Sequence, residues 1–123
     1  MRFPIAITTT EITMDTLPEN PVTPTSLRAR LPDRRGCETV EFAHAGADFT
    51  MTAGRYPDGK LGEIFINAGH ANSALDALAS DAAIAVSFAL QHGADLAIMR
   101  SAMKRNGRGE PSSPIGAALD LIP

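Results

Sequence analysis

The sequence predicts an α+β fold: a three-stranded antiparallel meander packed against an αα-hairpin, with a short C-terminal helical turn. Two changes of hydrophobic pattern carry this prediction. Between residues 37 and 67, apolar and polar residues alternate, which indicates strands with one buried face. From residue 72 the apolar spacing becomes that of a helix. The predicted order is therefore β-β-β-α-α, and the sequence contains no internal repeat.

The alternation defines three predicted strands. The first two cover residues 40–44 and 49–53, and the short AGAD segment between them predicts a hairpin. A Tyr-Pro-Asp-Gly turn at residues 56–59 leads to a third strand over residues 61–67. This strand is apolar on both faces except at Glu63, so we expect it to be central in the sheet or covered by a partner.

A long first helix is predicted to begin near Ser73, which stands three residues before Asp76 in a weak form of the capping box. On a helical wheel, a narrow polar stripe runs along an otherwise apolar helix. The stripe comprises Asp76, Ser80, Ala83, Ser87 and Gln91. We expect the stripe to face solvent and the remaining surface to be buried in the fold or in a dimer interface. Gly93 is predicted to end the helix.

A second helix is predicted over residues 94–105, and its short connection to the first makes an αα-hairpin. The residues expected on its inner face are Leu96, Met99 and Met103. After a glycine-containing loop, Ser113 is predicted to cap a last helical turn whose first residue is Pro114.

The first part of the chain differs from the rest. Residues 1–35 are a predicted flexible, Pro/Thr-rich arm without sustained periodicity, and residues 36–123 form the α+β domain. The end of the arm gathers Arg28, Arg30, Arg34 and Arg35. Two interpretations stay open for these arginines: a solvated linker, or an electrostatic contact with an acidic partner.

Composition limits the class of protein. The 123 residues suffice for one domain, with 44% hydrophobic but only 5% aromatic residues. The net charge of -3 argues against a general nucleic-acid binder. The single cysteine, Cys37, excludes an internal disulfide or a CxxC pair. The sequence shows neither a window apolar enough to span a membrane nor a secretion signal, so a cytoplasmic location is expected.

Asp81 is the predicted buried acid, because the helical wheel places it on the apolar side of the first helix. A buried carboxylate needs an ion pair or hydrogen bonds. Two interpretations stay open: a structural pair with a cation such as Arg100, or a role in proton transfer or ligand binding.

Two segments are candidate ligand or phosphate sites. The first precedes the first helix, where free N–H groups and the helix dipole can hold an anion. It comprises Gly69, His70, Asn72 and Ser73. The second is a basic loop that could grip the phosphate of a nucleotide or of RNA. It comprises Arg105, Asn106 and Arg108, and Arg100 and Lys104 lie close to it. The structural alternatives are a plain serine cap in the first case and cations at a helix C-terminus in the second.

The sequence contains no motif for catalysis or metal binding. His44 and His92 have no Cys or acid partner at ligand spacing, so neither a metal nor a cofactor is predicted. Cys37 is the only thiol, and no base stands at a recognisable spacing from it. No catalytic residue is therefore assigned.

Four segments together resemble the TSCPD domain, a small module found near the C-terminus of class II, cobalamin-dependent ribonucleotide reductases and also as a free-standing protein. They are LPDRRGCETVEFAHAG, DGKLGEIFINAG, ASDAAIAVSFALQHGADL and PIGAALDL, and the resemblance covers roughly residues 31–123. The reductase's radical-generating cysteines, shuttling cysteines and cobalamin-binding barrel have no counterpart here. His70 stands where the family commonly has Lys or Arg.

The resemblance implies a non-catalytic accessory or regulatory module in nucleotide metabolism, acting through protein contacts or nucleotide binding. Its expected partners are a second copy of the chain in a homodimer, a ribonucleotide reductase subunit, and a nucleotide. The alternative is a small nucleic-acid-binding regulator that uses the basic segment 100–108, for which binding would weaken steeply with salt.

Overall fold

A computed structural model describes residues 27–70 and 73–123, and it confirms the α+β fold. The strands are β1 (Cys37–His44), β2 (Ala47–Arg55) and β3 (Leu61–Ala68); the helices are α1 (Ala74–Gln91), α2 (Leu96–Ala102) and α3 (Pro114–Leu121). Of the predicted arm, residues 1–26 lie outside the described residues, whereas residues 27–35 are described.

The sheet is an antiparallel meander in the order β1-β2-β3. The β1–β2 hairpin turns through Ala45 and Gly46, whose φ angles of 49° and 79° are those of the two-residue turn that matches strand twist. The expectation that the third strand is central is wrong, because β2 is central and β3 lies at an edge. What covers this edge is α1.

The core lies between one face of the sheet and the helices α1 and α3. Its members from the sheet are Phe49, Met51, Ala53, Leu61, Ile64 and Ile66, and its members from the helices are Ala79, Ala83, Val86, Leu90, Ile115, Ala118, Leu119 and Ile122. The opposite face of the sheet is more polar, and a hydrogen bond of 3.2 Å joins Thr39 and Thr52 across β1 and β2. The core is therefore one-sided, as the alternation predicts.

Helix α1 is rotated from the predicted orientation, so that part of the polar stripe packs on the sheet beside Val86 and Leu90. Its buried residues include Ala83, Ser87 and Gln91 of the polar stripe, whereas Leu78 and Phe88 are exposed. The reason is hydrogen bonding: Ser87 Oγ accepts from Ile64 N at 2.8 Å and lies 2.9 Å from Ile64 O. An edge strand buried without such partners would leave backbone groups unsatisfied.

Two further side chains of the stripe extend this pairing along β3. Gln91 Nε2 donates to Gly62 O at 2.9 Å, and Asp76 Oδ1 accepts from Ala68 N at 2.8 Å. One helical turn of four residues rises about 6 Å, which nearly equals the roughly 6.6 Å spanned by two strand residues. Ser87 and Gln91, one turn apart on α1, therefore meet Ile64 and Gly62, two residues apart on β3.

The outer face of α1, defined as residues 74, 77, 78, 81, 84, 85 and 88, is exposed and mostly apolar. By length and composition α1 is apolar enough to cross a membrane, with a mean hydropathy of 1.3 over 18 residues, so the expectation that the chain lacks such a window is wrong. The hydrogen bonds of its inner face to β3 are those of a core helix in a globular domain.

The remaining helices follow the prediction with one change of length. Asp95 Oδ1 accepts from Ile98 N at 3.1 Å, and α2 then ends at Ala102, three residues earlier than predicted. Ser113 caps α3 and Pro114 is its first residue, so the predicted C-terminal turn is confirmed.

Candidate functional site

The loop before α1 uses its serine as a cap. Ser73 Oγ accepts from Asp76 N at 3.0 Å and donates to His70 O at 3.0 Å. Gly69 N donates to Asp48 O at 2.8 Å, while the His70 side chain is exposed. Asn72 lies outside the described residues. A phosphate site at this loop stays a prediction, and Ser73 makes the bond that the structural alternative requires.

The basic segment after α2 is largely engaged with α3. Arg105 donates to both carboxylate oxygens of Asp120, at 2.8 and 2.6 Å. These hydrogen bonds lower the pKa of Asp120 below its ordinary value and raise the pKa of Arg105. Arg100 donates to Leu119 O at 3.0 Å and to Ile122 O at 2.7 Å, which completes the C-terminus of α3.

The loop between Arg105 and Pro111 is organised by Asn106. Asn106 Oδ1 accepts from Arg108 N at 2.9 Å and from Glu110 N at 3.0 Å. The side chains of Lys104 and Arg108 are exposed. Within the described residues, no hydrogen bond or ion pair joins this loop to His70 or Ser73, so the two predicted sites are not brought together.

Asp81 is not buried, and this prediction is wrong. Its side chain is exposed on the outer face of α1, because the helix turns its polar stripe towards β3 and its apolar side outwards. The suggested partner, Arg100, instead binds the last carbonyls of α3. Among the described residues, Asp81 has no ion-pair partner.

Residues 28–35 form a strap across the end of the domain where β3 begins. Arg35 Nη2 donates to Glu63 Oε1 at 3.2 Å, and Arg35 Nε also binds this carboxylate, which is buried with only 6% exposure. Ala29 N donates to Gln91 O at 2.8 Å. The hydrogen bond from Arg35 to Glu63 raises the pKa of the guanidinium. In a buried pair of this kind, removing the cation leaves an uncompensated charge.

The first arginine of the strap lies over α1. Arg28 donates to Gln91 Oε1, and its guanidinium stands 4.5 Å from the centre of the Phe88 ring. Such a cation–π contact is attractive because the ring face is negative. Two of the four arm arginines, Arg28 and Arg35, thus bind the domain itself. Sequence reasoning missed this because it assigned the arginines and their acceptors to separate units.

An open cavity of about 620 Å³ lies between the β2–β3 turn, the end of α1 and α2. Three cations, Arg55, Lys60 and Arg100, line it together with one carboxylate, that of Asp95. Leu61, Leu90 and Leu96 supply apolar walls, and Tyr56 lies at its side. Its size and its mixture of apolar walls with a few charges suit a small anionic ligand. This cavity could not be predicted from the sequence, because its residues come from three distant segments.

Cys37 is exposed in β1, and the described part of the chain holds no cluster of His, Cys, Asp and Glu suited to a metal ion. His92 Nδ1 lies 2.8 Å from Phe88 O, which ties this ring to the end of α1. His44 is half-buried at the end of β1. Cys37, His44 and His92 therefore lie at separate places in the fold.

The chain is similar to parts of several much longer enzymes. The vitamin B12-dependent ribonucleotide reductase of Streptomyces avermitilis is 39% identical over 87 residues, which are 71% of this chain and 9% of that enzyme. The enzyme of the same name from Bradyrhizobium diazoefficiens is 38% identical over 88 residues, 72% of this chain and 7% of that enzyme. That from Rhodopirellula baltica is 36% identical over 72 residues, 58% of this chain and 7% of that enzyme.

No family model matches the chain, and no solved structure matches it. The chain spans less than a tenth of the length of the three reductases named above. The similarity nevertheless covers most of the described domain by length in the first two relatives. This chain is therefore related to a short region of vitamin B12-dependent ribonucleotide reductases.

Proposed function

We propose that this chain is a cytoplasmic, non-catalytic accessory module of the TSCPD type, which binds a vitamin B12-dependent ribonucleotide reductase and modulates its activity. The proposal rests on one observation: 87 residues of this chain are similar to a segment that makes up only 9% of the length of such an enzyme. A segment of that length corresponds to a module within the reductase chain.

Ion pairs hold the segments of the domain together. Within residues 27–70 and 73–123 there are three, which join Arg35 to Glu63, Arg55 to Glu38 and Arg105 to Asp120. Each pair ties one segment of the fold to another. Reduction of a ribonucleotide by thiols needs two cysteine thiols, because they are oxidised together to a disulfide. These 123 residues contain a single cysteine, Cys37. An accessory module needs a stable surface to bind its partner, and these ion pairs help to hold the segments of that surface in place.

The test combines binding and turnover. Purified chain is immobilised, a vitamin B12-dependent reductase from the same organism is passed over it, and ribonucleotide reduction is measured with and without added chain. We expect the two proteins to bind, the reductase rate or its response to nucleotides to change, and the chain alone to reduce no ribonucleotide. Turnover by the chain alone, or neither binding nor a change in rate, contradicts the proposal. An Ala83→Asp variant, whose core is disrupted, controls for dependence on the folded domain.

The cavity beside α2 favours nucleoside triphosphates as effectors of this module. Lys60 lies at its rim, its side chain makes no hydrogen bond or ion pair within the described residues, and Arg55 and Arg100 line the same space. Charges of this kind hold phosphates, and the leucine walls suit a base. Ligand that binds only the folded state raises the melting temperature.

The two lysines of the chain, Lys60 and Lys104, provide a matched pair for testing this mode. Lys60→Ala is expected to remove most of the thermal stabilisation by nucleoside triphosphates, whereas Lys104→Ala, at an exposed position outside the cavity, keeps it. Equal loss in both variants would indicate non-specific attraction of phosphate. No stabilisation of the unmodified chain at millimolar nucleotide would reject nucleotide binding while leaving reductase binding to its own test.

A further inference from the structure

The outer face of α1 has the composition of a helix–helix interface. Its residues recur at alternating spacings of three and four: Ala74, Ala77 or Leu78, Asp81, Ile84 or Ala85, and Phe88. This spacing keeps one seam on the same side of a helix and is that of packed helix pairs. The alanines allow a second helix to approach closely, and Leu78 and Phe88 supply larger side chains.

The outer face of α1 exposes a continuous apolar patch. Its three large apolar side chains are Leu78, 71% exposed, Ile84, 42% exposed, and Phe88, 46% exposed. Together they expose about one and a half whole side chains, roughly 300 Å² if each is taken at the size of Phe. With the exposed alanines, an interface on this face lies at or below the roughly 600 Å² per partner that marks the lower end of specific interfaces.

Two charges are placed on this face in a way that makes it complementary to itself. Asp81 lies in the middle of the seam and has no ion-pair partner among the described residues. Phe88 lies seven residues after Asp81 on the helix. The guanidinium of Arg28 lies over the Phe88 ring, and Arg28 also donates to Gln91. The helix itself carries no basic residue, so the strap supplies the cation of this surface.

A two-fold axis crossing α1 between Ile84 and Ala85 brings the two charges together. Asp81 and Phe88 lie equally far from that midpoint, about 5 Å along the helix on either side. In an antiparallel pair of helices related by this axis, Asp81 of one copy therefore faces Phe88 of the other, with Arg28 beside it. The same contact occurs twice by symmetry, as in an isologous dimer.

From this arrangement we infer that the chain forms a two-fold homodimer through the outer faces of two antiparallel α1 helices, with Asp81 of each copy paired to Arg28 of the other. Ile84 and Ala85 lie at the centre of the interface. A polar residue within an apolar seam fixes the register of the two helices, which is the role of Asp81. An interface at the small end of the specific range is typical of weak, reversible complexes, so we expect a dimer in equilibrium with its monomer.

Sedimentation equilibrium of the full chain over a concentration series tests the interface. The unmodified chain is expected to dimerise, and Leu78→Asp is expected to raise the dissociation constant at least tenfold. Ile98→Asp is the matched control, because Ile98 on α2 is 68% exposed and lies outside the seam. Its dissociation constant should stay within twofold of the unmodified value. A chain that stays monomeric at 100 micromolar, or equal weakening by both substitutions, overturns the inference.

Charge reversal tests the register. Asp81→Arg and Arg28→Glu each create a like-charge contact across the two-fold axis, so each is expected to weaken dimerisation about tenfold. The double variant restores the pair with its sign reversed and should recover most of the lost affinity. If the dissociation constant of the double variant rises by the product of the two single increases, the pairing of Asp81 with Arg28 is contradicted. Melting curves of the dilute proteins check that every variant folds. The experiment contains no reductase, so its result is independent of the proposed function.

Discussion

The two sides of α1 do not divide by polarity, because buried polar side chains stand beside the apolar Val86 and Leu90 on the inner side, and large apolar side chains are exposed on the outer side. The inner side contains Ser87 and Gln91, both buried, whereas the outer side contains Leu78 and Phe88, both exposed. The buried polar groups are satisfied by the open edge of β3. The difference shows that the hydrogen-bonding needs of a neighbouring strand can decide which side of a helix is buried, and that the apolar side is then left for a partner.

The largest expected contrast is between Ala83→Asp and Ala85→Asp, two residues apart on opposite sides of α1. Ala83 is fully buried against the core, so a carboxylate there loses its hydration without gaining a partner and should cost more than about 4 kcal/mol. Ala85 is exposed, and the same change should cost less than about 1 kcal/mol. Urea unfolding of dilute, monomeric protein measures both. Similar costs would mean that the orientation of α1 is not the one described.

The next contrast concerns the hydrogen bonds of the inner side. Ser87→Ala leaves the buried N–H and C=O of Ile64 without their side-chain partner, which should cost about 2–3 kcal/mol. Ser80→Ala changes the same residue type on the same stripe, where the serine is only half-buried, and should cost less than about 0.5 kcal/mol. Urea unfolding again gives both values. A cost below 1 kcal/mol for Ser87→Ala would show that β3 finds other partners.

The smallest expected effect is a pH dependence, which we expect for the ion pair of Arg105 with Asp120 and not for the uncharged contacts of Ser87. Arg105 lowers the pKa of Asp120 in the folded state, so this pair stabilises the protein above the carboxyl's unfolded pKa of about 3.9, and the stabilisation is lost as pH falls through the lower folded pKa. Asp120→Asn should therefore reduce stability more at pH 7 than at pH 2. The contacts of Ser87 are uncharged, and the cost of Ser87→Ala should be the same at both. Melting curves at the two pH values measure this, and a pH-independent effect of Asp120→Asn would contradict it.

Local features of the fold were predictable because they depend on residues a few positions apart. The helix caps at Ser73 and Ser113 follow from a side-chain oxygen that reaches an N–H three residues on, and the structure has both. The third strand, by contrast, was expected to be central in the sheet or covered by a partner, because it is apolar on both sides. Its edge position depends on α1 supplying the missing partners, which lie more than ten residues away along the chain except at Asp76.

The candidate site was less predictable for the same reason. Arg105 and Asn106 were predicted to belong to a loop that grips phosphate, which stays a prediction, and their contacts with Asp120 and with Arg108 N are visible only once α3 and the loop have packed. The cavity that contains Lys60 is built from the β2–β3 turn and from α2, which no spacing in the sequence connects. Side chains that meet through tertiary packing leave no pattern of fixed period.

Periodicity, capping and motifs are local properties, so the fold class, the order of the elements, the caps of α1 and α3 and the relation to ribonucleotide reductases could all be predicted from the sequence. Tertiary packing is needed to establish which side of α1 faces the core, where Arg28 and Arg35 bind, and that Asp81 is exposed. These depend on satisfying the backbone of β3, a requirement that arises only when strand and helix meet. The surface left exposed by that requirement is the one we assign to a second copy of the chain.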